Sequence, residues 1–383
     1  MTRSRFLPYN QPEVGEEEAQ AVSAVIQSRW LTHGDVTRRF EEALAARVGV
    51  SSVVALSSCT AALHLALLGY HIGEGDEVIT TPMTFVASVN AVIQTGATPV
   101  LVDIDPVSGN IDLNAVAEAI NSRTRAILPV HYGGHPVDMA QLNGIRDTYH
   151  LAVVEDAAHG LGSFSGGQPL GSFGNLTAFS FYATKNLTTA EGGALCVENA
   201  EVEQEVRALS LHGMTRNSWN RYQRGGSWQY DVTALGYKYN MSDVQAALGL
   251  VQLKKLTAMQ SKRAALAQRY QEKLSCLPLQ LPGTEGHSWH LYSVGLDLKR
   301  IRGDRNDVID DLRQANIGTS VHFIPIYRHT YYRSRFGWGA NDFPHTEAFF
   351  QGRISLPLYP SMTIEDVDDV AHALDDSLSA RRV

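Results

Sequence analysis

Cysteine is scarce in this chain of 383 residues: there are three, at positions 59, 196 and 276. They show neither the pairing of a disulfide framework nor the close spacing of a metal knuckle. That excludes a disulfide-stapled scaffold, gives no reason to expect a metal, and points to a reducing compartment. Long apolar runs are missing too. No stretch approaches the roughly 20 residues that cross a bilayer, and the opening MTRSRFLPYN lacks the apolar core of a secretion signal. A cytoplasmic protein with no membrane partner is expected. Excess positive charge is also absent, since 32 Lys and Arg stand against 40 Asp and Glu for a net charge of -8. This argues against a nucleic-acid partner, although a local basic pocket for a phosphorylated ligand stays compatible with it. There is no internal repeat and no low-complexity linker. What remains is an ordinary globular composition, 44% hydrophobic and 19% charged, long enough for two or three domains and a large core. A soluble metabolic protein is the expectation.

Along the chain, short apolar runs alternate with helical periodicity. Helices are expected at 13–29, 37–48, 61–68, 85–94, 115–120 and 139–149, the second preceded by a break at Trp30–Gly34. Between and after them fall apolar runs at 53–56, 77–80, 99–102, 126–130, 152–155, 177–181 and 193–197. Seven short strands separated by helices predict a mainly parallel sheet covered on both faces, with ligands at the carboxyl ends of the strands. Beyond Gly236 the character changes. Ser242 and Gln245 have the spacing of a capping box and open a long helical stretch to about Leu274. A smaller α+β unit should follow, with strands at 289–296 and 319–323 and helices at 304–315 and 364–378. The division is placed between residues 1–250 and 251–383.

Four strand ends carry candidate chemistry. Lys185 follows the strand at 177–181 and precedes a polar run ending in Gly192–Gly193. An amine held there among groups that exclude water is costly to charge, loses pKa and can attack an aldehyde; a solvated turn lysine is the plainer reading. Ser57-Ser58-Cys59-Thr60 opens a helix, offering free N–H groups and hydroxyls to a phosphate or simply capping that helix. Asp156 ends the strand at 152–155, where its carboxylate could pair with a protonated pyridine nitrogen or cap a helix. His159, three residues on, could meet the same ring or be a core histidine bonded to backbone. Ser180 could join the phosphate site, and Phe85 could cover a flat ring or belong to the core. Taken together, an amine, a carboxylate, a phosphate cup and an aromatic lid are what pyridoxal 5′-phosphate requires.

The blocks SFYATKNLTTAEGGAL, VVEDAAHGLG, SSCTAALHLAL, GYKYNMSDVQAALGLVQLKKL and SVHFIPIYRHTYYRSRFG resemble the nucleotide-sugar aminotransferases of the DegT type. These are pyridoxal-phosphate enzymes of fold type I, the aspartate-aminotransferase fold. The resemblance runs from about Pro8 to the last helix. It implies that Lys185 forms the internal aldimine and shuttles the proton, that Asp156 partners the pyridine nitrogen, and that His159 sits beside the ring and its hydroxyl. Cys59, Thr60 and Ser180 would hold the phosphate and Phe85 would stack on the ring. It further implies a homodimer with shared active sites, in which Lys238 and Asn240 act in the neighbouring subunit. Thr32, His322 and Tyr327 fall in segments that line the sugar-nucleotide pocket of relatives, and Arg216 and Arg221 suit its diphosphate.

Three departures stand out. Cys59 holds a position that is commonly Gly, Lys238 one that is often Asn, and Ala190 one that is frequently Gly. Relatives that dehydrate sugars carry His in place of the lysine, so Lys185 argues against that chemistry. The implied reaction is ping-pong transfer of an amino group from L-glutamate to a keto group of a nucleotide-linked sugar, with C4 favoured by likeness to UDP-4-keto-sugar enzymes. A C3-keto sugar, a non-catalytic pyridoxal-phosphate-binding metabolite sensor, and an enzyme acting on an amino acid alone are the alternatives.

Overall fold

The computed structural model describes residues 3–214 and 229–383. The strands are Ser52–Leu56 (β1), Glu77–Thr80 (β2), Thr98–Leu101 (β3), Thr124–Ile127 (β4), Ala152–Asp156 (β5), Phe164–Ser165 (β6), Gln168–Pro169 (β7), Leu176–Ser180 (β8) and Gly193–Val197 (β9), then Leu279–Gln280 (β10), Tyr292–Leu296 (β11) and Arg353–Leu356 (β12). Seven of them form the expected sheet, in the order β1-β9-β8-β5-β4-β2-β3. Their pairings are parallel except those of β9, which runs against both β1 and β8. The reversal has a consequence for the site. β9 starts where its neighbours end, so Gly193 lies opposite both Leu56 and Ser180. The Gly192–Gly193 pair is thereby delivered to the carboxyl edge of the sheet.

Side-chain alternation divides β8 between two cores. Leu176 and Ala178 join one cluster with Val54, Leu56 and the helix Cys59–Gly69. Phe179 and Phe181 join the other, with Phe40, Leu44, Met241 and Leu256. The helix Cys59–Gly69 is apolar on nearly every face, and Leu63, Leu65 and Leu67 are wholly buried, so it is a core helix rather than a surface one. Ser58 caps it, its hydroxyl accepting from the Ala61 N–H at 3.1 Å.

The capping box at Ser242 and Gln245 forms, and the helix it opens runs over Asp243–Leu274. Its first half supplies Ala246, Leu256 and Met259 to the core around Phe181. Its second half supplies Leu266, Tyr270 and Leu274 to a separate core around Tyr292, Ile354 and Val367, which Leu7 also enters. One helix thus links two cores.

The second sheet differs from expectation. It has the order β10-β11-β12, and residues 319–323, expected as a strand, are irregular with an isolated bridge from Ser320 to Ser355. The strand that flanks β11 is instead β12. It begins at Arg353, whose guanidinium is buried over the Phe349 ring at 3.9 Å and donates to the Ser293 carbonyl. The strand at 289–296 is shorter, starting at Tyr292. No helix among the described residues is long and apolar enough to cross a membrane.

Candidate active site

The carboxyl edge of the large sheet opens into a pocket of about 520 Å³. Its wall includes Cys59, Thr60, Phe85, Asp156, His159, Ser180, Lys185 and His322, so eight residues singled out from the sequence meet in one place.

Lys185 reaches the pocket from the turn after β8. Its N–H donates to the Tyr182 carbonyl, and the strand is held to β9 by the bond from Phe181 N–H to Gly192 O. Burial lowers the pKa of its amine to about 8, against a partial offset from Cys59 and Asp156. At neutral pH a tenth or so of the amine is then uncharged, far more than for a solvated lysine.

Asp156 ends β5 and is 5% exposed. Ser88 Oγ donates to its Oδ2 at 2.6 Å, and the Ala158 N–H donates to its Oδ1 at 3.0 Å. Because the Ser88 proton is committed to the carboxylate, the Thr84 hydroxyl, 2.6 Å from Ser88 Oγ, must donate to Ser88. A two-hydroxyl relay therefore fixes this carboxylate. On the other face of β5, Glu155 is held by the His131 ring at 3.0 Å and Asn175 at 2.9 Å. The strand end is pinned on both sides.

The His159 ring accepts at Nδ1 from the Gly133 N–H at 3.2 Å, which leaves the proton of the neutral ring on Nε2. Burial, with Lys185, His322 and His287 adding to it, holds its pKa well below the usual range. Phe323 stacks on it at 5.6 Å. The His322 ring accepts or donates at Nδ1 with Ser355 Oγ at 2.9 Å, and burial followed by Lys185 brings its pKa to about 4. These imidazoles are neutral in the physiological range.

Ser58, Cys59 and Thr60 present the start of the core helix to the pocket, where first-turn N–H groups suit an anion. Burial pushes the Cys59 thiol well above its usual pKa, so a neutral sulfur faces the site. The close fit of β9 explains the glycines. A Cβ on Gly193 would lie 2.4 Å from Cys59 N, and one on Gly192 would lie 2.1 Å from Thr189 Oγ1. Phe85 is 59% exposed, with its ring 5.9 Å from that of Phe323. It is an open aromatic at the rim rather than a core residue.

The remaining expected residues do not line this pocket. Thr32 is exposed, and its carbonyl accepts from the Asp243 N–H. Tyr327 is buried, donates to Glu347 Oε2 at 2.8 Å and stacks on Phe343. Lys238 is exposed, and its ammonium donates to Asn240 Oδ1. Arg216 and Arg221 lie outside the described residues. Sequence reasoning missed Ser88, Thr84 and His290. A hydroxyl on an apolar helix and a histidine before a strand carry no local signal that separates them from core residues.

Comparison with known proteins agrees with this geometry. Residues 12–375 match the model of the DegT/DnrJ/EryC1/StrS aminotransferase family. The spore coat polysaccharide biosynthesis protein SpsC of Bacillus subtilis is 48% identical over 98% of this chain and 97% of its own. Spr1654 of Streptococcus pneumoniae, with structures in a PLP-form and a PMP-form, superposes with a TM-score of 0.91 at 33% identity, covering 98% of this chain and 99% of its own. Helicobacter pylori PseC, an aminotransferase involved in the biosynthesis of pseudoaminic acid, superposes with a TM-score of 0.90 at 30% identity over 98% of this chain and 100% of its own. On sequence, fold and pocket together, this chain belongs to the DegT/DnrJ/EryC1/StrS aminotransferase family.

Proposed function

We propose that this protein binds pyridoxal 5′-phosphate and transfers the amino group of L-glutamate to a keto group, at C4 rather than C3, of a nucleotide-linked sugar. The observation that carries the reading is the meeting, in one pocket, of an amine with a pKa of about 8, a pinned carboxylate and a capped helix start. The residues present fit the cofactor. Bound there, it would supply an aldehyde for an amine to attack and an aromatic ring that draws electrons from the substrate carbon.

This chain's own residues then have distinct tasks. Lys185 holds the cofactor and carries a proton at Nζ, its lowered pKa keeping both protonation states accessible near neutrality. Asp156 faces a ring nitrogen while Ser88 and Ala158 orient its carboxylate. His159 presents a donor at Nε2. Cys59, Thr60 and Ser180 bind the phosphate, the first two by backbone N–H groups at the positive end of the helix, and Phe85 covers the ring. His322 lies within the pocket and is assigned to the sugar.

Lys238 is exposed and Asn240 half-buried, and neither lines this chain's own pocket, which supports a homodimer in which they serve the neighbouring site. Thr32 and Tyr327 would serve the substrate only from beyond the present wall. Arg216 and Arg221 remain assigned to the diphosphate by their residue type. Two cores joined by one helix support a division near residue 250.

The test is a two-stage turnover assay. Protein loaded with pyridoxal phosphate is converted by glutamate, freed of it, and offered 4-keto and 3-keto sugar nucleotides separately. Faster regeneration by the 4-keto compounds is the expected result. Regeneration by 3-keto compounds alone would reverse the assignment of position, and binding without turnover would make the protein a sensor.

A further inference from the structure

The pocket contains an imidazole that the reaction described above leaves without a task. His290 lines it from the segment just before β11 and is 4% exposed. Its ring lies 4.3 Å from that of His159, tilted by 42°. Its Nδ1 meets Asn186 Oδ1 at 3.3 Å. Asn186 follows Lys185 in the chain and cannot turn its amide over without loss. Its Nδ2 donates to the Ser288 carbonyl at 2.8 Å and to Gln260 Oε1 at 3.3 Å. The oxygen of that amide is therefore the atom offered to His290, so Nδ1 must carry the proton and Nε2 must be the lone-pair nitrogen. Ser288 is fixed in turn, its hydroxyl donating to the His159 carbonyl at 2.7 Å. Hydrogen bonds thus run from Asn186, beside Lys185, through Ser288 to the His159 carbonyl, and from Asn186 to the His290 ring, which packs against the His159 ring.

We infer that His290 is a positioning residue for the reaction: tied through Asn186 to the turn that carries Lys185, its ring sets the orientation of the His159 ring it packs against. The two rings have opposite tautomers, His159 protonated at Nε2 by the demand of Gly133 and His290 at Nδ1 by the demand of Asn186. Neither can take a second proton cheaply: burial is the main reason for both, with His159, Lys185, Arg263 and His322 adding to it at His290, and Lys185, His322 and His287 at His159. As a neutral ring packed on a neutral ring, His159 accepts at Nδ1 and donates at Nε2 alone. The inference rests on the proposed function in one respect, that His159 faces the cofactor; the link between the two histidines does not depend on it.

Two measurements separate these dependencies. The first is nitrogen-15 NMR of the histidine side chains in the full-length protein as purified. His290 is expected with a protonated Nδ1 and His159 with a protonated Nε2. Asn186→Leu should release the His290 tautomer and move the His159 nitrogen signals as well. Unmoved His159 signals overturn the inference whether or not the protein binds pyridoxal phosphate. The second is the pH titration of the visible absorbance of the pyridoxal-phosphate-loaded protein. His290→Phe keeps a ring of similar size but cannot bond to Asn186. Its midpoint is expected to shift by about half a pH unit or more, with kcat falling roughly tenfold and KM for glutamate unchanged. An unshifted midpoint, or a change confined to KM, contradicts a positioning role. If His290→Phe does not fold, Asn186→Leu carries both measurements with the imidazoles left in place. Failure to load pyridoxal phosphate at all would overturn the functional reading, and the NMR result would still decide this one.

Discussion

Replacing Gly193 by Ala should uncouple cofactor binding from folding. The backbone at Gly193 does not have a positive φ, so the added methyl costs nothing in conformation and everything in space. Its Cβ would stand 2.3 Å from the Ser58 carbonyl carbon, 2.4 Å from Cys59 N and 2.5 Å from Ser58 O. Ordinary contacts need about 3.5 Å, so strand and helix start must part by about 1 Å. Overpacking of this kind costs about 1–3 kcal/mol of stability, and β9 is paired on both edges, which leaves the helix start as the part that yields. Its N–H groups are the ones proposed to hold the phosphate, and hydrogen bonds to a charged group contribute about 1.5–3 kcal/mol each. Weakening two of them should raise Kd for pyridoxal phosphate by about 100-fold or more. Fluorescence titration of the cofactor-free protein measures Kd, and thermal denaturation of the same sample measures the stability loss. A Kd within about threefold of the parent would refute the assignment of this helix start to the phosphate.

The pH dependence of cofactor attachment follows from Lys185. Its folded pKa of about 8 lies below the ordinary 10.5, so the attachment rate of cofactor-free protein should rise about tenfold per pH unit up to about 8 and then level off. A continued rise toward pH 10 in stopped-flow absorbance would contradict the buried environment. The same group makes the cofactor-free fold gain stability between pH 8 and 10.5, because there the unfolded chain binds its proton and the folded one does not. Ser88→Ala removes the 2.6 Å bond to Asp156 and should slow the glutamate half-reaction by roughly tenfold or more, a bond to a carboxylate contributing about 1.5–3 kcal/mol; an unchanged single-turnover rate would remove Ser88 from the site. Phe181→Ala empties a wholly buried position just after β8, where its ring meets that of Phe40 edge-on. It should destabilise the protein by about 3–5 kcal/mol in urea denaturation.

Much of the large sheet was legible because its strands are short, apolar and separated by helices of clear periodicity. The bounds of Glu77–Thr80 and Gly193–Val197 are as expected, and those of the other strands differ by up to three residues at an end, as with Thr124–Ile127 for 126–130. The site was legible where its residues sit in contiguous blocks, such as Asp156 with His159 and Lys185 with Gly192–Gly193. The second sheet was harder. Val321 and Phe323 alternate with polar residues as a strand would, yet that segment turns its side chains toward the pocket and the core around Tyr132. Arg353 disguised the true strand, since a buried guanidinium satisfied by carbonyls and an aromatic face looks, in sequence, like a surface residue. Ser88 and His290 were invisible for a different reason. Their partners, Asp156 and Asn186, are 68 and 104 residues away in the chain, and only folding brings each pair together.

The measurement that bears most directly on the central claim is the absorbance spectrum of the purified protein, taken before and after glutamate and repeated with Lys185→Ala. The account predicts a visible band of lysine-bound cofactor in the parent, bleached by glutamate and restored by a keto-sugar nucleotide. The variant, folded by circular dichroism, should show neither the band nor turnover. A parent that shows no band after incubation with pyridoxal phosphate, or a variant that transaminates at the parental rate, would contradict it.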